Sequence, residues 1–321
     1  MNSSRNVIDV SRVTPSASSE SLTLPLTYFD IFWYKFHTVE RVIFYQLTDA
    51  TRPFFDSVIV PNLKSSLSSS LSHYLPLAGN LVWDSLDQKP SIVYSQNDAV
   101  SLTVAESNSD LSRLAGNKPF PTAELHPLVP ELHVTDDSAS AVSFQVTLFP
   151  NQGFCIGVTA HHAVLDGKTA TMFLKFWADT CKRQQDQTAN ASPPQDRLPI
   201  YDRTVIKNPN NMEAKILNDD SVEELDETVA LKLPDILASF PILPPGSQLV
   251  SVAGSTRFGV YGLDFGWGRP ERVLVVSIDQ GEAISMAEGR DGNGGVEIGF
   301  SLKKHEMEAL IDLLKIDHFS F

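Results

Sequence analysis

Two adjacent histidines followed by an aspartate stand out among the residues that could do chemistry. Residues 158–170 read VTAHHAVLDGKTA, in which Asp166 lies four residues after His162. An unperturbed imidazole has a pKa of about 6.5, so a histidine can take a proton from a hydroxyl group at neutral pH. His162 is therefore a candidate general base, and Asp166 can brace the turn that follows it. The pattern alone also allows both His161 and His162 to be core residues and Asp166 to be only a helix cap.

Other kinds of catalytic site have less support in the sequence. Structural zinc takes four ligands, but Cys155 and Cys181 are distant in sequence and no HExxH or CxxC motif occurs, so we expect no metal site. No GxSxG motif marks a serine nucleophile, and Cys155 lies in an apolar run where burial is the usual outcome. The segment GNGGVEIG (292–299) resembles a phosphate loop only loosely, and its strand-like flanks favour a hairpin turn.

The histidine pair is predicted to lie between a strand and a helix. The strand-like runs AVSFQVTLF (141–149) and FCIGVTAHH (154–162) flank the turn PNQG, which predicts a hairpin. Gly167 then allows a tight turn into a helix. That helix carries an apolar face of Ala170, Phe173, Leu174, Trp177 and Cys181. If the strand continues through both histidines, their side chains point to opposite faces and only one can enter a cleft.

Strand and helix patterns precede this motif in the first half of the chain. After a polar lead we expect the fold to begin near residue 22, where the aromatic-rich stretch LTLPLTYFDIFWYKF (22–36) starts. The run VERVIFYQL (39–47) is typical of a buried strand, and NLVW (80–83) also predicts a strand. Apolar residues at helical spacing behind Pro61 predict an amphipathic helix between them. These residues are Leu63, Leu67, Leu71 and Tyr74.

A polar stretch leads into the second half of the chain. From Lys182 to Arg203 the composition turns to Gln, Asp, Asn, Pro and Ser, which is typical of a solvated linker. Beyond it we predict a helix over 219–233 and strands over 251–263 and 272–278. The turn GRDGNGG joins two further strand-like runs. A final helix carries Met307, Leu310, Ile311 and Leu314 on one side.

Length, charge and cysteine content exclude several classes of protein. A chain of 321 residues with 42% hydrophobic content usually forms about two domains. The net charge of −14 repels nucleic acid and anionic membranes, so we expect neither as a partner. Two cysteines provide no disulfide framework and suit a reducing compartment. With no signal-like N-terminus and no apolar run of about 20 residues, we expect a cytosolic (cytoplasmic) protein.

A second motif, further along the chain, makes the histidine motif typical of one protein family. HHAVLDG (161–167) followed by DFGWGRP (264–270) resembles the BAHD (HXXXD-type) family of plant acyl-CoA-dependent acyltransferases. The stretches LSHYLPLAGNLVW, YDRTVIK, SVAGSTRFGVY and GGVEIGFSLKKHEME are similar to the branch that acylates anthocyanin and flavonoid glucosides. The resemblance covers most of residues 20–315. It implies an α/β (mixed α+β) fold with a two-domain, chloramphenicol-acetyltransferase-like architecture.

The resemblance also implies roles for the site residues. His162 is the general base, and Asp166 is mainly structural. The loop formed by Asp264, Phe265, Gly266, Trp267 and Gly268 holds the fold and is remote from the chemistry. Acyl-CoA is a co-substrate, no cofactor is bound permanently, and we expect a monomer. The acyl group passes to a sugar hydroxyl of an anthocyanin, flavonoid or phenolic glucoside, and the branch points first to a hydroxycinnamoyl donor such as coumaroyl-CoA and second to malonyl-CoA.

One block of the family pattern is missing from the second half. The family normally has a DxR element and a YFGN(C) segment before the SVAGS strand, and neither is present; the break falls near Asn218–Asp219. We therefore expect an N-terminal domain at 1–181, a crossover linker at 182–218 and a truncated second domain at 219–321. In the family the DxR arginine pairs with the HxxxD aspartate, so Asp166 loses its usual partner. The alternative to an active acyltransferase is a non-catalytic splice form or paralogue with at most weak ligand binding.

Overall fold

The chain folds around a six-stranded mixed β-sheet that positions the histidine motif. We describe it from a computed structural model, which covers residues 5–16, 20–34, 36–83, 89–186, 197–217, 251–280 and 283–316. The strands of these residues are, in chain order, β1 Arg5–Val13, β2 Leu22–Pro25, β3 Val39–Gln46, β4 Asn80–Val82, β5 Ser91–Tyr94, β6 Val100–Ser107, β7 Ser138–Ser140, β8 Val142–Phe149, β9 Gly153–Ala160, β10 Val252–Ser255, β11 Arg272–Val275, β12 Ile284–Glu288 and β13 Val296–Phe300.

The helices flank the large sheet and join its strands. They are α1 Tyr28–Ile31, α2 Arg52–Phe54, α3 Val60–Leu71, α4 Leu111–Leu114, α5 Gly167–Gln185, α6 Met212–Leu217 and α7 Lys304–Ile316. A π-helical turn, Phe55–Ile59, connects α2 to α3, and short 3₁₀ turns lie at Leu75–Leu77, Thr122–Glu124, His126–Leu128, Arg203–Val205, Pro209–Asn211, Val260–Gly262 and Ser277–Gln280. In the described part of the chain, no helix is both long and apolar enough to cross a bilayer.

The large sheet has the strand order β1-β6-β8-β9-β3-β11, with β6 and β8 parallel and all other neighbours antiparallel. Every residue of β8 and β9 is buried, which explains their near-continuous apolar sequence. Helices α3 and α5 cover one face, where Leu63, Leu67 and Trp177 are buried without exposure. The predicted hairpin at 141–162, the strand at 39–47 and the helices behind Pro61 and Gly167 are confirmed.

The N-terminal lead is part of the sheet, so the prediction that the fold begins near residue 22 was wrong. Strand β1 pairs antiparallel with β6, from Arg5 opposite Ser107 to Val13 opposite Val100. Most of its residues stay half-buried or exposed because it is an edge strand, and only Val13 is buried. An edge strand needs little apolar content, which is why its polar composition indicated a tail.

The second half contributes a small three-stranded sheet and one strand of the large sheet. The small sheet has the order β10-β12-β13, and β12 with β13 forms the hairpin predicted around GRDGNGG. Strand β11 leaves this sheet and pairs with β3, with Arg272 opposite Phe44 and Val275 opposite Arg41. The strands predicted over 251–263 and 272–278 are shorter than expected, because each ends in a 3₁₀ turn. The two halves therefore share one sheet.

Several predicted boundaries remain predictions. Helix α5 continues to Gln185, so the helix extends past residue 182, where the linker was predicted to start. The predicted helix over 219–233 and the break at Asn218–Asp219 lie outside the described residues. The final helix forms as α7, but no side chain described in it is fully buried. The domain division at 1–181, 182–218 and 219–321 thus stays a prediction.

The loop at 264–268 fastens the second half to the C-terminal end of α5. Asp264 accepts hydrogen bonds from the backbone N–H groups of Gly266 (2.9 Å) and Gly268 (3.0 Å) and pairs with Lys182 at 2.5 Å. Both glycines have positive φ, 104° and 96°, which other residues rarely adopt. Burial raises the pKa of the Asp264 carboxyl, but the Lys182 and backbone bonds outweigh it and lower that pKa overall.

The aromatic residues of the same loop enter the core. Phe265 is fully buried, and its ring meets Trp177 edge-on with 5.0 Å between centroids. Trp267 lies edge-on to Phe154 at 5.7 Å, and Tyr45 donates a hydrogen bond to the Leu263 carbonyl at 2.8 Å. Burying such an aromatic ring contributes roughly 2–3 kcal/mol to folding. The contacts of this loop are those of a structural anchor.

We predict that Asp264→Ala lowers stability without acting on the chemistry. The variant loses the acceptor for two backbone N–H groups together with an ion pair, and we expect about 2 kcal/mol of destabilisation in urea unfolding. Asp264→Asn is the matched control, because its side-chain oxygen can still accept both N–H groups and only the partly exposed pair with Lys182 is lost. Wild-type stability with abolished turnover in Asp264→Ala would instead place this carboxylate in the chemistry.

Candidate active site

The two histidines lie immediately after the fully buried strand β9. The strand ends at Ala160, so His161 and His162 belong to the turn between β9 and α5 and are not consecutive strand residues. The turn is closed by the His161 carbonyl, which accepts hydrogen bonds from the N–H groups of Val164 (2.9 Å) and Leu165 (3.3 Å). The strand alternation expected for the pair therefore does not apply, yet the two side chains still enter different surroundings.

His162 is enclosed by aromatic rings. Its imidazole stacks on the Trp33 indole with 4.0 Å between centroids and an interplanar angle of 10°, and Phe36 meets it edge-on at 5.7 Å. The side chain is only partly buried, but its Nδ1 atom is buried and makes no hydrogen bond within the described residues. This leaves Nε2 as the nitrogen through which His162 can accept a proton.

The apolar surroundings keep His162 neutral. Burial lowers the pKa of the imidazole below its ordinary value of 6.5, and the nearby His37 lowers it further. A lowered pKa means that the ring is unprotonated at neutral pH, the state that a general base requires. The electrostatics of the site therefore suit proton abstraction from a substrate hydroxyl.

His161 is a structural residue by its contacts. It is buried, with 8% of its surface exposed, and its Nδ1 accepts a hydrogen bond from the N–H of Ala163 at 3.2 Å. Burial, assisted by His162, lowers the pKa of His161 to about 4. A neutral imidazole that already accepts a backbone N–H braces the turn that presents His162.

Asp166 is the N-cap of α5. Its carboxylate accepts a hydrogen bond from the N–H of Thr169 at 2.6 Å, and its backbone is extended, as at an N-cap. A carboxylate at this position also compensates the positive end of the helix dipole. The side chain is exposed, and no Lys or Arg among the described residues forms an ion pair with it. Asp166 therefore fixes where the turn ends and the helix begins, and its charge raises the pKa of His162, against the larger lowering effect of burial.

The loop at 264–268 lies far from His162 along the same helix. It contacts Lys182 and Gln185, at the C-terminal end of α5, whereas His162 precedes the N-terminus. With a rise of 1.5 Å per residue, the 19 residues of α5 separate the two ends by about 28 Å. The helix thus brings together His162 and Asp166, and it keeps Asp264, Phe265, Gly266, Trp267 and Gly268 away from them.

Sequence reasoning did not identify Trp33, Phe36 and His37 as neighbours of His162. They follow α1, which is held by Asp30: its carboxylate accepts a hydrogen bond from the N–H of Thr27 at 2.8 Å and pairs with Arg203 at 2.5 Å. The density of aromatic residues in LTLPLTYFDIFWYKF was the available signal, but nothing local connects it to residue 162. No group of three or more His, Cys, Asp or Glu side chains in the described ranges is arranged to hold a metal ion.

Comparison with known proteins identifies the family. Residues 6–239 and 202–313 match the model of the Transferase family, and a BAHD acyltransferase of Arabidopsis thaliana is 35% identical, over 97% of this chain and 98% of that protein. The chain is a BAHD acyltransferase family member. Its predicted family and enzyme class are thereby confirmed.

Other relatives of this family member carry substrate names. Phenolic glucoside malonyltransferase 1 of Arabidopsis thaliana is 51% identical, with 98% of each chain covered. A malonyl-CoA:anthocyanidin 5-O-glucoside-6''-O-malonyltransferase of the same plant is 38% identical, again over 98% of each chain. Agmatine coumaroyltransferase, also from Arabidopsis thaliana, is 32% identical over 96% of this chain and 98% of its own.

Solved structures confirm the predicted fold class of this BAHD family member. Vinorine synthase superposes with a TM-score of 0.69 at 17% identity, covering 97% of this chain and 98% of that one. TRI101 of F. sporotrichioides, complexed with Coenzyme A and T-2, gives a TM-score of 0.56 at 13% identity, covering 90% and 97%. At these identities the likeness concerns the fold alone.

The same comparisons show that the BAHD chain is internally shortened. Its alignment with phenolic glucoside malonyltransferase 1 extends over 463 positions, whereas the chain has 321 residues, so at least 142 positions have no counterpart in it. The alignment nonetheless reaches close to both ends of the two proteins, since it covers 98% of each chain. The missing positions are therefore internal, as the sequence predicted.

We predict that His162→Ala and His161→Ala have different effects. Loss of the base should lower turnover about a hundredfold or more with little change in stability. Loss of His161 should mainly lower the melting temperature, because the Ala163 N–H is then left without its acceptor. Steady-state kinetics and thermal unfolding of both variants test this, and an equal loss of turnover in both with retained folding would contradict the assignment.

We predict that Trp33 controls the pH dependence of the reaction. A base is lost when it is protonated, so wild-type kcat/KM should fall as the pH drops through the lowered pKa of His162, with a midpoint below 6.5. Trp33→Ala admits water to the imidazole, which raises its pKa and moves the midpoint up towards 6.5. Trp33→Phe, which keeps an aromatic face, is the matched control, and an unchanged midpoint in Trp33→Ala would show that the stack does not set the pKa.

Proposed function

We propose that the chain transfers an acyl group from acyl-CoA to a sugar hydroxyl of a phenolic or anthocyanin glucoside, with His162 as general base. The observation that carries the proposal is the geometry of His162, a neutral imidazole with buried Nδ1, held at the end of β9 by a capped helix. The two cysteines of the chain, Cys155 and Cys181, are buried and form no disulfide. Free cysteines suit a reducing compartment, and we propose the cytosol as the place of the reaction.

The proposed reaction proceeds by direct attack on the thioester and needs no covalent acyl-enzyme. Nε2 of His162 accepts the proton of the sugar hydroxyl while the oxygen attacks the thioester carbonyl, which forms a tetrahedral intermediate. Collapse of this intermediate breaks the C–S bond and expels CoA thiolate. The imidazolium returns its proton to the thiolate, so products are the ester and CoA. Placing both substrates beside one base contributes much of the remaining acceleration.

Malonyl-CoA is the donor we propose first. The sequence placed hydroxycinnamoyl donors ahead of malonyl, but the names of the relatives at 51% and 38% identity support malonyl transfer to glucosides. A coumaroyltransferase appears among the relatives at 32% identity, so coumaroyl-CoA is the second donor to test. The aromatic segment that holds Trp33 and Phe36 gives the acceptor's phenolic rings a surface on which to stack.

A second candidate function is that of a non-catalytic form that binds ligands weakly. It is supported by the internal loss of at least 142 aligned positions and by the sparse packing of the small sheet in the second half. No residue of β10, β12 or β13 is fully buried, in contrast to β8 and β9. A thioester donor needs a wall opposite His162, and a displacement of about 1 Å can cost 10²-fold in rate.

An assay with repaired and native chains separates the two functions. We predict that the purified 321-residue chain transfers malonyl from malonyl-CoA to an anthocyanin glucoside slowly, with less transfer from coumaroyl-CoA and a rate lower by about a hundredfold or more in His162→Ala. Inserting the missing block of a full-length relative at Asn218–Asp219 should raise turnover and donor affinity greatly. Equal turnover of the native and repaired chains would refute a crippled donor site, and no turnover by the native chain would favour the non-catalytic form.

A further inference from the structure

A buried arginine without a carboxylate partner lies beside the candidate active site. Arg41, the third residue of β3, is only 8% exposed. Its guanidinium donates one hydrogen bond, from Nη1 to Oγ1 of Thr171 at 3.2 Å, and it forms no ion pair within the described residues. A guanidinium carries five N–H donors, and burying a charge without a counter-ion is costly. Such a group is unusual unless something anionic joins it.

The guanidinium faces a small cavity. Arg41, Phe258, Val260, Val273 and Ala287 are among the residues that line it, and it encloses about 30 Å³. This space exceeds the minimum of about 10–15 Å³ for one water molecule, so it can admit a group of the size of a carboxylate. It is too small for an aromatic ring or a nucleotide.

The acidic groups around the cavity are already engaged. Glu288 accepts hydrogen bonds from the N–H groups of Gly259 (3.2 Å) and Tyr261 (3.1 Å). Glu297 pairs with Arg272 at 3.5 Å and accepts a hydrogen bond from the Tyr261 hydroxyl. Neither carboxylate forms an ion pair with Arg41; Glu288 acts on the guanidinium only from a distance, by raising its pKa against the effect of burial, so the N–H groups of Arg41 stay without a carboxylate acceptor in the described residues.

The cavity adjoins the turn that carries His162. In the sheet, Arg41 lies opposite Val158, four residues before His162. Its partner Thr171 donates a hydrogen bond to the Gly167 carbonyl at 2.8 Å, in the first turn of α5. Phe258 packs so closely on Gly167 that a Cβ added there would lie 2.8 Å from its ring. Arg41 and the cavity are thus anchored on both sides of the His162–Asp166 turn.

We propose that Arg41 binds the free carboxylate of a malonyl donor and selects it over neutral acyl groups. This inference rests on the proposed function and names the residue behind its donor specificity. In malonyl-CoA one methylene separates the carboxylate from the thioester carbonyl, so the recognising cation must lie near the base. A guanidinium presents two parallel N–H groups to a carboxylate, and Thr171 fixes its orientation.

The ratio of dissociation constants for acetyl-CoA and malonyl-CoA tests the proposal, because these donors differ only in the carboxylate. Isothermal titration of the full chain should give a clear preference for malonyl-CoA. Arg41→Gln should reduce that preference about 10–100-fold, the loss expected for hydrogen bonds to a charged group, with acetyl-CoA binding much less affected. Arg41→Lys keeps the charge without the paired N–H groups and should retain part of the preference. A preference that is absent in the wild type, or unchanged in Arg41→Gln, overturns the proposal.

A milder variant covers the case in which Arg41→Gln does not fold. Thr171→Val removes the oxygen that orients the guanidinium and leaves the charge in place, with Thr171→Ser as the matched control. We expect the malonyl preference to fall in Thr171→Val and to persist in Thr171→Ser, whereas equal preferences in both contradict a positioned Arg41. If the wild type prefers malonyl-CoA yet acylates no glucoside, the proposed function fails and the Arg41 site stands.

Discussion

The packing of α5 on the central strands is the constraint on which the rest of the structure depends. Trp177 is fully buried: its ring meets Phe144 of β8 edge-on with 5.1 Å between centroids, and its indole Nε1 donates hydrogen bonds to α3, at Oγ of Ser66 (3.0 Å) and the Leu63 carbonyl (3.2 Å). With this helix fixed, its capped N-terminus sets the turn of His162, and its C-terminal end holds the loop at 264–268. One helix therefore positions the proposed base at one end and the 264–268 loop at the other.

The electrostatics of the turn follow from what surrounds it. His161 and His162 are adjacent, and burial lowers the pKa of both imidazoles. Nδ1 of His161 accepts a hydrogen bond from the Ala163 N–H. The imidazole of His162 is instead packed against aromatic rings, which offer no strong acceptor. The division of labour between the two residues thus comes from their hydrogen bonds and not from the strand alternation that the sequence suggested.

The elements that could be predicted were those whose residues show a period or a cap over a short stretch of sequence. The apolar runs of β8 and β9, the helical spacing from Ala170 to Cys181 and the cap at Asp166 could be read from neighbouring residues. Strand β1 could not, because an edge strand at the surface resembles a polar tail. The stacking of Trp33 on His162 and the cavity at Arg41 depend on residues more than a hundred positions apart in sequence, which no local period encodes.

The second half of the chain is held mainly by its contacts with the first half. Strand β11 completes the edge of the large sheet, and Phe265 fills a space between Tyr45 and Trp177, so this half is held by contacts with the first-half core. Its own sheet has no buried residue and adds little core. Loss of an internal block can therefore leave β11 and the 264–268 loop in place, because both are held by the first-half core. The first-half core that positions His162 makes its own contacts and does not depend on such a block, so under the proposed function the loss acts on donor binding and not on the placement of the base.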